Sequence, residues 1–332
     1  MQEKKIVFRC KGGHHIGWGH IMRCLSLARW LKGKYKVYFV INQDAKVCEF
    51  IREKGFPVFE VSERRNDKKF EEKIINTVLS LEPHLVVNDI RNTSQEYMQA
   101  LKMRNIKIIN FDDTSNNVKM ANVFIDANKK EKVGKCFGPS FILLSSIYSK
   151  IAQKKRKIYK KVRTILISLG GSDPNNLTEK TLRSFEWKIT GPIRIQVVVG
   201  PSFQHKERLE KWKRLDNISF IQGHDDLSPL LLNTDIAVVN GGITMFESLC
   251  LGTPTVVVAQ NKHQAKNARR MERRGVIVNL GEGIKISDKK IARKVIALMG
   301  SFSTREKLSL KAKKEIDGKG IFRILEQIEL SL

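Results

Sequence analysis

His20 follows the turn Gly17-Trp18-Gly19, and Arg23 comes a helical turn later. The glycines allow a tight bend after the apolar run Ile6-Val7-Phe8, so His20 stands at the opening of a helix. There the helix dipole favours a neutral imidazole, which suits a general base; the plainer alternative is a histidine that caps a loop. Asn88-Asp89 and Phe111-Asp112-Asp113 end two further apolar runs. Carboxylates at strand ends suit the orienting of a histidine or a water, and equally the capping of helices. His14 and His15 stand next to each other, which does not by itself make a metal site, and no His/Cys cluster has zinc spacing. No metal is expected.

A second group of motifs suits an anion. Asn240-Gly241-Gly242-Ile243-Thr244-Met245-Phe246-Glu247 joins the apolar run Ile236–Val239 to a helical pattern. Backbone N–H groups at such a helix start lack partners and carry partial positive charge, which suits a phosphate. Glu247, a turn further on, is placed to accept from ribose hydroxyls. A tight turn with a solvated glutamate explains the same residues, because short glycine motifs are weak signals. Gly170-Gly171-Ser172-Asp173-Pro174-Asn175-Asn176 is another strand–glycine–helix junction, with Ser172 and Asp173 as polar lining. His263, Gln264 and Asn267 open a helix after the run ending at Ala259, with Gln264 and Asn267 on one face, in reach of a sugar or base.

These motifs need strands and helices to hold them, and the rest of the chain supplies both. Apolar runs alternate with amphipathic stretches throughout, which predicts α/β layers with parallel sheets. In the first part, strands are expected at Val37–Ile41, Leu85–Val87, Ile106–Asn110 and Val123–Ile125, with helices at Ile21–Leu31, Val47–Lys54, Phe70–Leu81 and Ser94–Arg104. Thr93 or Ser94 is the expected cap of the last. The basic run 151–163, rich in lysine, reads as a solvated linker. Beyond it, strands are expected at Thr164–Leu169, Ile195–Val199, Ile218–Ile221, Ile236–Val239, Thr255–Ala259 and Val276–Val278, and three helices close the chain. The domains are therefore 1–150 and 164–316, with a terminal helix over 317–332. Ligands belong at the carboxyl ends of such strands.

The 332 residues are 41% apolar, enough for two cores. No stretch is long and apolar enough to span a bilayer, and no signal-peptide pattern opens the chain. Five scattered cysteines fit reduced thiols in a cytoplasm. Against 34 acidic residues stand 61 basic ones, a net charge of +27 that favours anionic partners. The lysines and arginines are spread over almost every predicted helix, with no nucleic-acid-binding signature. A solvated basic surface is the main reading, with weak peripheral contact with an acidic membrane beside it, and no nucleic acid is expected.

Taken in order, Gly17–Arg23, Phe111-Asp112-Asp113, Ser168–Asn176, Asn240–Glu247 and His263–Ala268 resemble the motif set of the pseudaminic-acid pathway hydrolases. Those enzymes act on UDP-2,4-diacetamido-2,4,6-trideoxy-β-L-altropyranose and have spore-coat-polysaccharide relatives; the family is also similar to the lipid II-forming GlcNAc transferase. The resemblance spans nearly the whole chain. It implies the GT-B fold, two Rossmann-like domains facing across a cleft, with UDP on the C-terminal domain and the terminal helix crossing back to the N-terminal one. It implies His20 as the base that activates water, Asp89 at an acidic position after the fourth strand, Gly17, Gly19 and Gly242 in diphosphate loops, and Glu247 at the ribose. Arg23, Gly171, Ser172, Gly241, Thr244, Gln264 and Asn267 complete the expected substrate contacts. No cofactor is implied. The chain departs from the family pattern at Ile90 and Arg91, where a His-Tyr-like pair is usual, and at Ser145, Ser146 and Ile147, where Arg and Glu are usual. Those positions bear on the sugar pocket. The expected activity is hydrolysis of a UDP-sugar, with a glycosyltransferase using a hydroxyl acceptor as the alternative.

Overall fold

The structure is a computed structural model and describes residues 3–12, 18–62, 69–127, 136–186, 192–200, 202–222 and 226–332. Gly17, His14 and His15 lie outside the described residues. The chain forms two compact units, Met1–Ser145 with Lys319–Leu332, and Ser146–Gly318.

In unit 1 the elements run β1 (Lys5–Cys10), α1 (Gly19–Leu31), β2 (Lys36–Asn42), α2 (Ala45–Glu53), β3 (Val58–Val61), α3 (Phe70–Ser80), β4 (Leu85–Asp89), α4 (Gln95–Met103), β5 (Lys107–Phe111), β6 (Val123–Asp126) and β7 (Cys136–Phe137). The strands form one sheet in the order β3-β2-β1-β4-β5-β6-β7, every pair parallel. Side chains alternate across a strand, so β1 feeds two cores. Ile6, Phe8 and Cys10 pack with Ile21, Leu25, Ala28 and Leu31 of α1. Val7 packs on the other face with Ile74 and Val78 of α3 and Tyr97, Met98 and Leu101 of α4. Ser94 caps α4, accepting from the Tyr97 N–H at 3.1 Å, while Thr93 donates instead to Asp113 at 2.5 Å.

Unit 2 runs α5 (Ser146–Ile151), β8 (Thr164–Ser168), α6 (Leu177–Phe185), β9 (Arg194–Val199), a 3-10 helix over Lys206–Arg214, β10 (Ile218–Gln222), α7 (Ser228–Leu232), β11 (Ile236–Val239), α8 (Ile243–Cys250), β12 (Thr255–Ala259), α9 (Lys262–Arg273), β13 (Val278–Glu282), α10 (Asp288–Gly300) and α11 (Phe302–Glu315). Its sheet is also parallel, in the order β10-β9-β8-β11-β12-β13. The chain then returns to unit 1 as α12 (Gly320–Ser331), whose Ile321, Ile324 and Ile328 are fully buried in the core that α1 shares. Burial of each is worth about 1.5–3 kcal/mol.

One expected strand is corrected. The last strand of unit 2 is β13, not Val276–Val278. Helix α9 has first to be closed by Gly275, at φ +69°, and the Val276 N–H still bonds back to Met271 O. The half-buried strand that follows includes Asn279 and Gly281 and so shows no apolar run. Two-residue β7 is too short for a periodic signal.

The basic run 151–163 lies within unit 2 and is laced into it. Arg156 donates to Leu231 O at 2.7 Å, to Thr253 Oγ1 at 3.0 Å and to Thr234 O. The fully buried Arg305 of α11 donates to Tyr159 O and Lys160 O, each at 2.8 Å. An irregular segment still has backbone carbonyls to satisfy, and a buried arginine, with five donors, answers two at once.

Candidate active site

Both sheets have a switch point, β1/β4 in unit 1 and β8/β11 in unit 2, where neighbouring strands send their chains to opposite faces. Most of the candidate residues gather there.

In unit 1, α1 begins at Gly19, which puts His20 and Arg23 on its first turns and Asp89 opposite them at the end of β4. His20 Nδ1 lies 2.7 Å from Asp89 Oδ1. Arg23 grips the same carboxylate with two donors, Nε to Oδ2 at 2.7 Å and Nη2 to Oδ1, and donates from Nη1 to Asp112 Oδ2 at 2.7 Å. The Cys24 thiol donates to Asp89 Oδ2 at 3.6 Å; burial pushes that thiol's pKa up, so it stays protonated. Burial alone would raise the Asp89 carboxyl. The charge of Arg23, that of His20 when it is protonated, and their hydrogen bonds outweigh it and hold Asp89 well below the usual carboxylate range. Asp89 is therefore an acceptor only, and its short contact assigns the proton to His20 Nδ1. In the neutral imidazole Nε2 then carries the lone pair. A base oriented by a buried carboxylate is the arrangement of a histidine that takes a proton from a nucleophile.

Arg23 was expected on the substrate, and the structure commits it to two aspartates instead. Burial would lower its pKa, but Asp89 and Asp112 raise it well above the ordinary value. Asp112 has φ +49°, a conformation that aspartate tolerates better than most residues. Asp113 is 1% exposed and holds Thr93, Asn110 and the Ser115 N–H. Gly19 has open space where a Cβ would stand, so sterics do not demand glycine there.

In unit 2 the loops after β8, β11 and β12 interlock. Asn240 Nδ2 and Gln260 Nε2 both donate to Leu169 O, at 3.2 and 2.8 Å. Asp173 was expected as site lining. It accepts from the Leu177 and Thr178 N–H groups at 2.9 and 2.8 Å, so it caps α6 and occupies the anion position there itself. Ser172 is buried beside it, and Gly171 packs back to back with Gly200, whose Cβ would fall 2.2 Å from the Gly171 Cα. Helix α8 differs. Its N-cap is Gly242, which has no side chain to cap the first turn, where Thr244 sits. Gly241 is needed for close approach, since a Cβ there would meet Gln264 O at 2.4 Å. The Gly242 N–H is spent on Asn240 Oδ1 at 3.0 Å. Gln264 Oε1 accepts from the Gln260 N–H at 3.0 Å, while its Nε2 stands near Gly242. Asn267 is 6% exposed, with Nδ2 3.3 Å from His263 Nε2 and an Oδ1 that finds no partner among the described residues. Glu247 is part-buried; burial, with a smaller push from Asp226, raises its carboxyl to about 7. Among the described residues no group of three or more His, Cys, Asp or Glu is arranged to hold a metal ion.

Acinetobacter baumannii MurG superimposes on 98% of this chain and 99% of its own with a TM-score of 0.72 at 15% identity. With two parallel-sheet Rossmann-like units, that likeness decides the fold. The chain is a GT-B protein. Residues 164–319 match the Glycosyltransferase family 28 C-terminal domain. Homologues of this GT-B protein include the spore coat polysaccharide biosynthesis protein SpsG of Bacillus subtilis, 26% identical over 94% of each chain. They also include the UDP-2,4-diacetamido-2,4,6-trideoxy-beta-L-altropyranose hydrolase of Campylobacter jejuni, 23% identical over 82% of this chain and 97% of that one. A Methanocaldococcus jannaschii protein, MJ1062, is 29% identical over 78% of this chain, which spans only 56% of that protein's length. Among the described residues, no helix is long and apolar enough to cross a membrane.

Sequence reasoning placed Asp112 among possible orienting carboxylates but not in the site, and it passed over Cys24. Asp112 had a signal in Phe111-Asp112-Asp113. Cys24 had none, because its partner Asp89 lies far away in the chain.

Proposed function

We propose that this GT-B protein is a nucleotide-sugar hydrolase. It releases UDP from a UDP-linked 2,4-diacetamido-2,4,6-trideoxyhexose, or a similar sugar, in nonulosonic-acid or surface-polysaccharide biosynthesis. The carrying observation is the His20–Asp89 contact of 2.7 Å, which leaves Nε2 free to take a proton. In the proposed step a water oxygen bonds to the anomeric carbon as the bond from that carbon to the diphosphate oxygen breaks, and the water proton goes to His20 Nε2. The imidazolium so formed lies against Asp89, which stabilises it. Unit 2 offers, in the first-turn N–H groups of α8, donors suited to the charge of a diphosphate. One displacement inverts the anomeric configuration. The hydrolase from C. jejuni supports water as the acceptor.

A second reading, a glycosyltransferase with a hydroxyl acceptor, is favoured by the match of residues 164–319 and by the likeness to MurG. Incubation with a panel of UDP-sugars separates the two. Release of UDP with no acceptor present, and a free sugar of inverted configuration by NMR, is the expected result. Release only when a hydroxyl acceptor is added would overturn hydrolysis in favour of transfer. On the same substrate His20→Asn is expected to lower turnover by about 10²–10⁴ while UDP affinity stays within a few-fold.

A further inference from the structure

Asp112 takes no part in the proposed step, yet it is tied to the group around His20. It follows β5, its N–H donates to Ile125 O at 3.0 Å, and its φ is +49°. A residue other than glycine held in that conformation marks a constrained place. Its carboxylate accepts from Arg23 Nη1 at 2.7 Å, and the guanidinium lies over the Phe111 ring, 5.3 Å from its centre. The other two nitrogens of Arg23 go to Asp89. There Oδ1 accepts from His20 Nδ1 and Arg23 Nη2, and Oδ2 accepts from Arg23 Nε and the Cys24 thiol. Two donors on each oxygen fill the carboxylate and fix its rotation. Arg23 Nη2 also stands 3.3 Å from His20 Nδ1. Two hydrogen-bonded states are therefore open to these groups. With the proton on Nδ1, both Nδ1 and Nη2 donate to Asp89, and Nε2 keeps its lone pair. With the proton on Nε2, Nδ1 accepts from Nη2 instead, and Nε2 has no lone pair to offer a water.

We propose that Asp112 is a positioning residue for His20: through Arg23 it holds the Asp89 carboxylate in the rotation that keeps the imidazole proton on Nδ1. This rests on the reading above that His20 takes a proton at Nε2. A guanidinium is planar, so a contact at one nitrogen sets the direction of the others. Drawing Nη1 to Asp112 aims Nη2 and Nε together at Asp89. Without that contact the fork is free to tilt, and Nη2 has His20 Nδ1 as a second acceptor within reach.

Two substitutions test this. Asp112→Gly removes the carboxylate and suits the φ of +49°, whereas Asp112→Asn keeps an acceptor for Nη1. The tautomer of His20 is read from its ring-nitrogen NMR shifts at about pH 8.5, where an ordinary imidazole is neutral, with no substrate present. The signal is assigned by its loss in His20→Asn. Thermal melting and the kcat and KM for UDP release from the UDP-sugar panel are measured on the same proteins. Wild type is expected to carry the proton on Nδ1. In Asp112→Gly the form protonated on Nε2 gains, and kcat falls about 10-fold with KM within about 2-fold, part of what a positioned base contributes. Asp112→Asn keeps most of the wild-type tautomer and rate. An unchanged tautomer in Asp112→Gly overturns the proposal, whatever happens to the rate or the melting point. So does a kcat lowered as far in Asp112→Asn as in Asp112→Gly, and a raised KM at unchanged kcat puts Asp112 on the substrate instead. A wild type protonated on Nε2 defeats both the base reading and the proposal. A wild type that releases no UDP defeats the hydrolase reading alone, and the tautomer still decides the part of Asp112.

Discussion

Asp89 accepts from three residues in unit 1, His20, Arg23 and Cys24, so its substitution separates charge from shape. Asp89→Asn keeps the volume and loses the charge that orients His20 and neutralises Arg23. Turnover is expected to fall by about 10²–10⁴ in a steady-state assay. Stability at neutral pH is expected to fall by about 3–5 kcal/mol in denaturant titrations, the usual cost of breaking a buried pair from one side. The sign of the pH effect follows from the depressed carboxyl: its contribution is present above the unfolded value near pH 4 and is lost as pH falls through the lower folded value. Wild type should therefore lose stability in acid more steeply than Asp89→Asn.

Glu247 has the opposite sign. Its folded value, about 7, lies above the unfolded one, so stability falls as pH rises from about 4 to 7. Glu247→Gln is expected to melt higher than wild type at pH 8 and no higher at pH 4. The difference should be about 1–2 kcal/mol, below what the full shift implies because the carboxyl keeps some contact with water. A variant that melts lower at pH 8 would rule this out.

At the scale of elements, the helix starts divide the work. Asp173 caps α6, whereas the first turn of α8 has no side-chain cap. Asp173→Ala is expected to cost about 1–2 kcal/mol by thermal melting, the upper range for a lost cap, because Gln260 Nε2 also loses an acceptor at 2.5 Å. The sequence showed these junctions because buried parallel strands are unbroken apolar runs: Leu85–Val87 and Ile236–Val239 could hardly be anything else. Asp89 closes such a run and His20 opens the first helix after one, which is what marks both as candidates. What a sequence cannot display is which distant partner claims a polar side chain. Arg23 has the place of a substrate contact in the sequence, and its partner Asp112 is far along the chain. Asp173 looked like site lining until its carboxylate was found on the N–H groups of α6. Arg156 looked solvated because its carbonyl partners, Leu231 O and Thr234 O, come from backbone that carries no residue-type signal.

For the molecule as a whole, charge and ligand give separate expectations. A net charge of +27 predicts sedimentation with anionic liposomes at low salt that is reversed at high salt, because screening shortens from about 30 Å at 0.01 M to about 3 Å at 1 M. Absence of binding at low salt would leave the charge as a solvated surface. The nucleotide prediction concerns which unit is stabilised. If UDP binds through α8 and the loops around it, native-state stabilisation at 100 times Kd is about 2.7 kcal/mol, and it belongs first to the unit that makes the contacts. Hydrogen exchange with and without UDP should show the largest slowing at 240–247 and 260–267. The strands β8, β11 and β12 that carry those loops should follow. Residues 170–176 should change less, since Asp173 already satisfies the α6 start. Slowing confined to β1, β4 and α1 would instead put the nucleotide on unit 1, and Glu247 would lose its proposed partner.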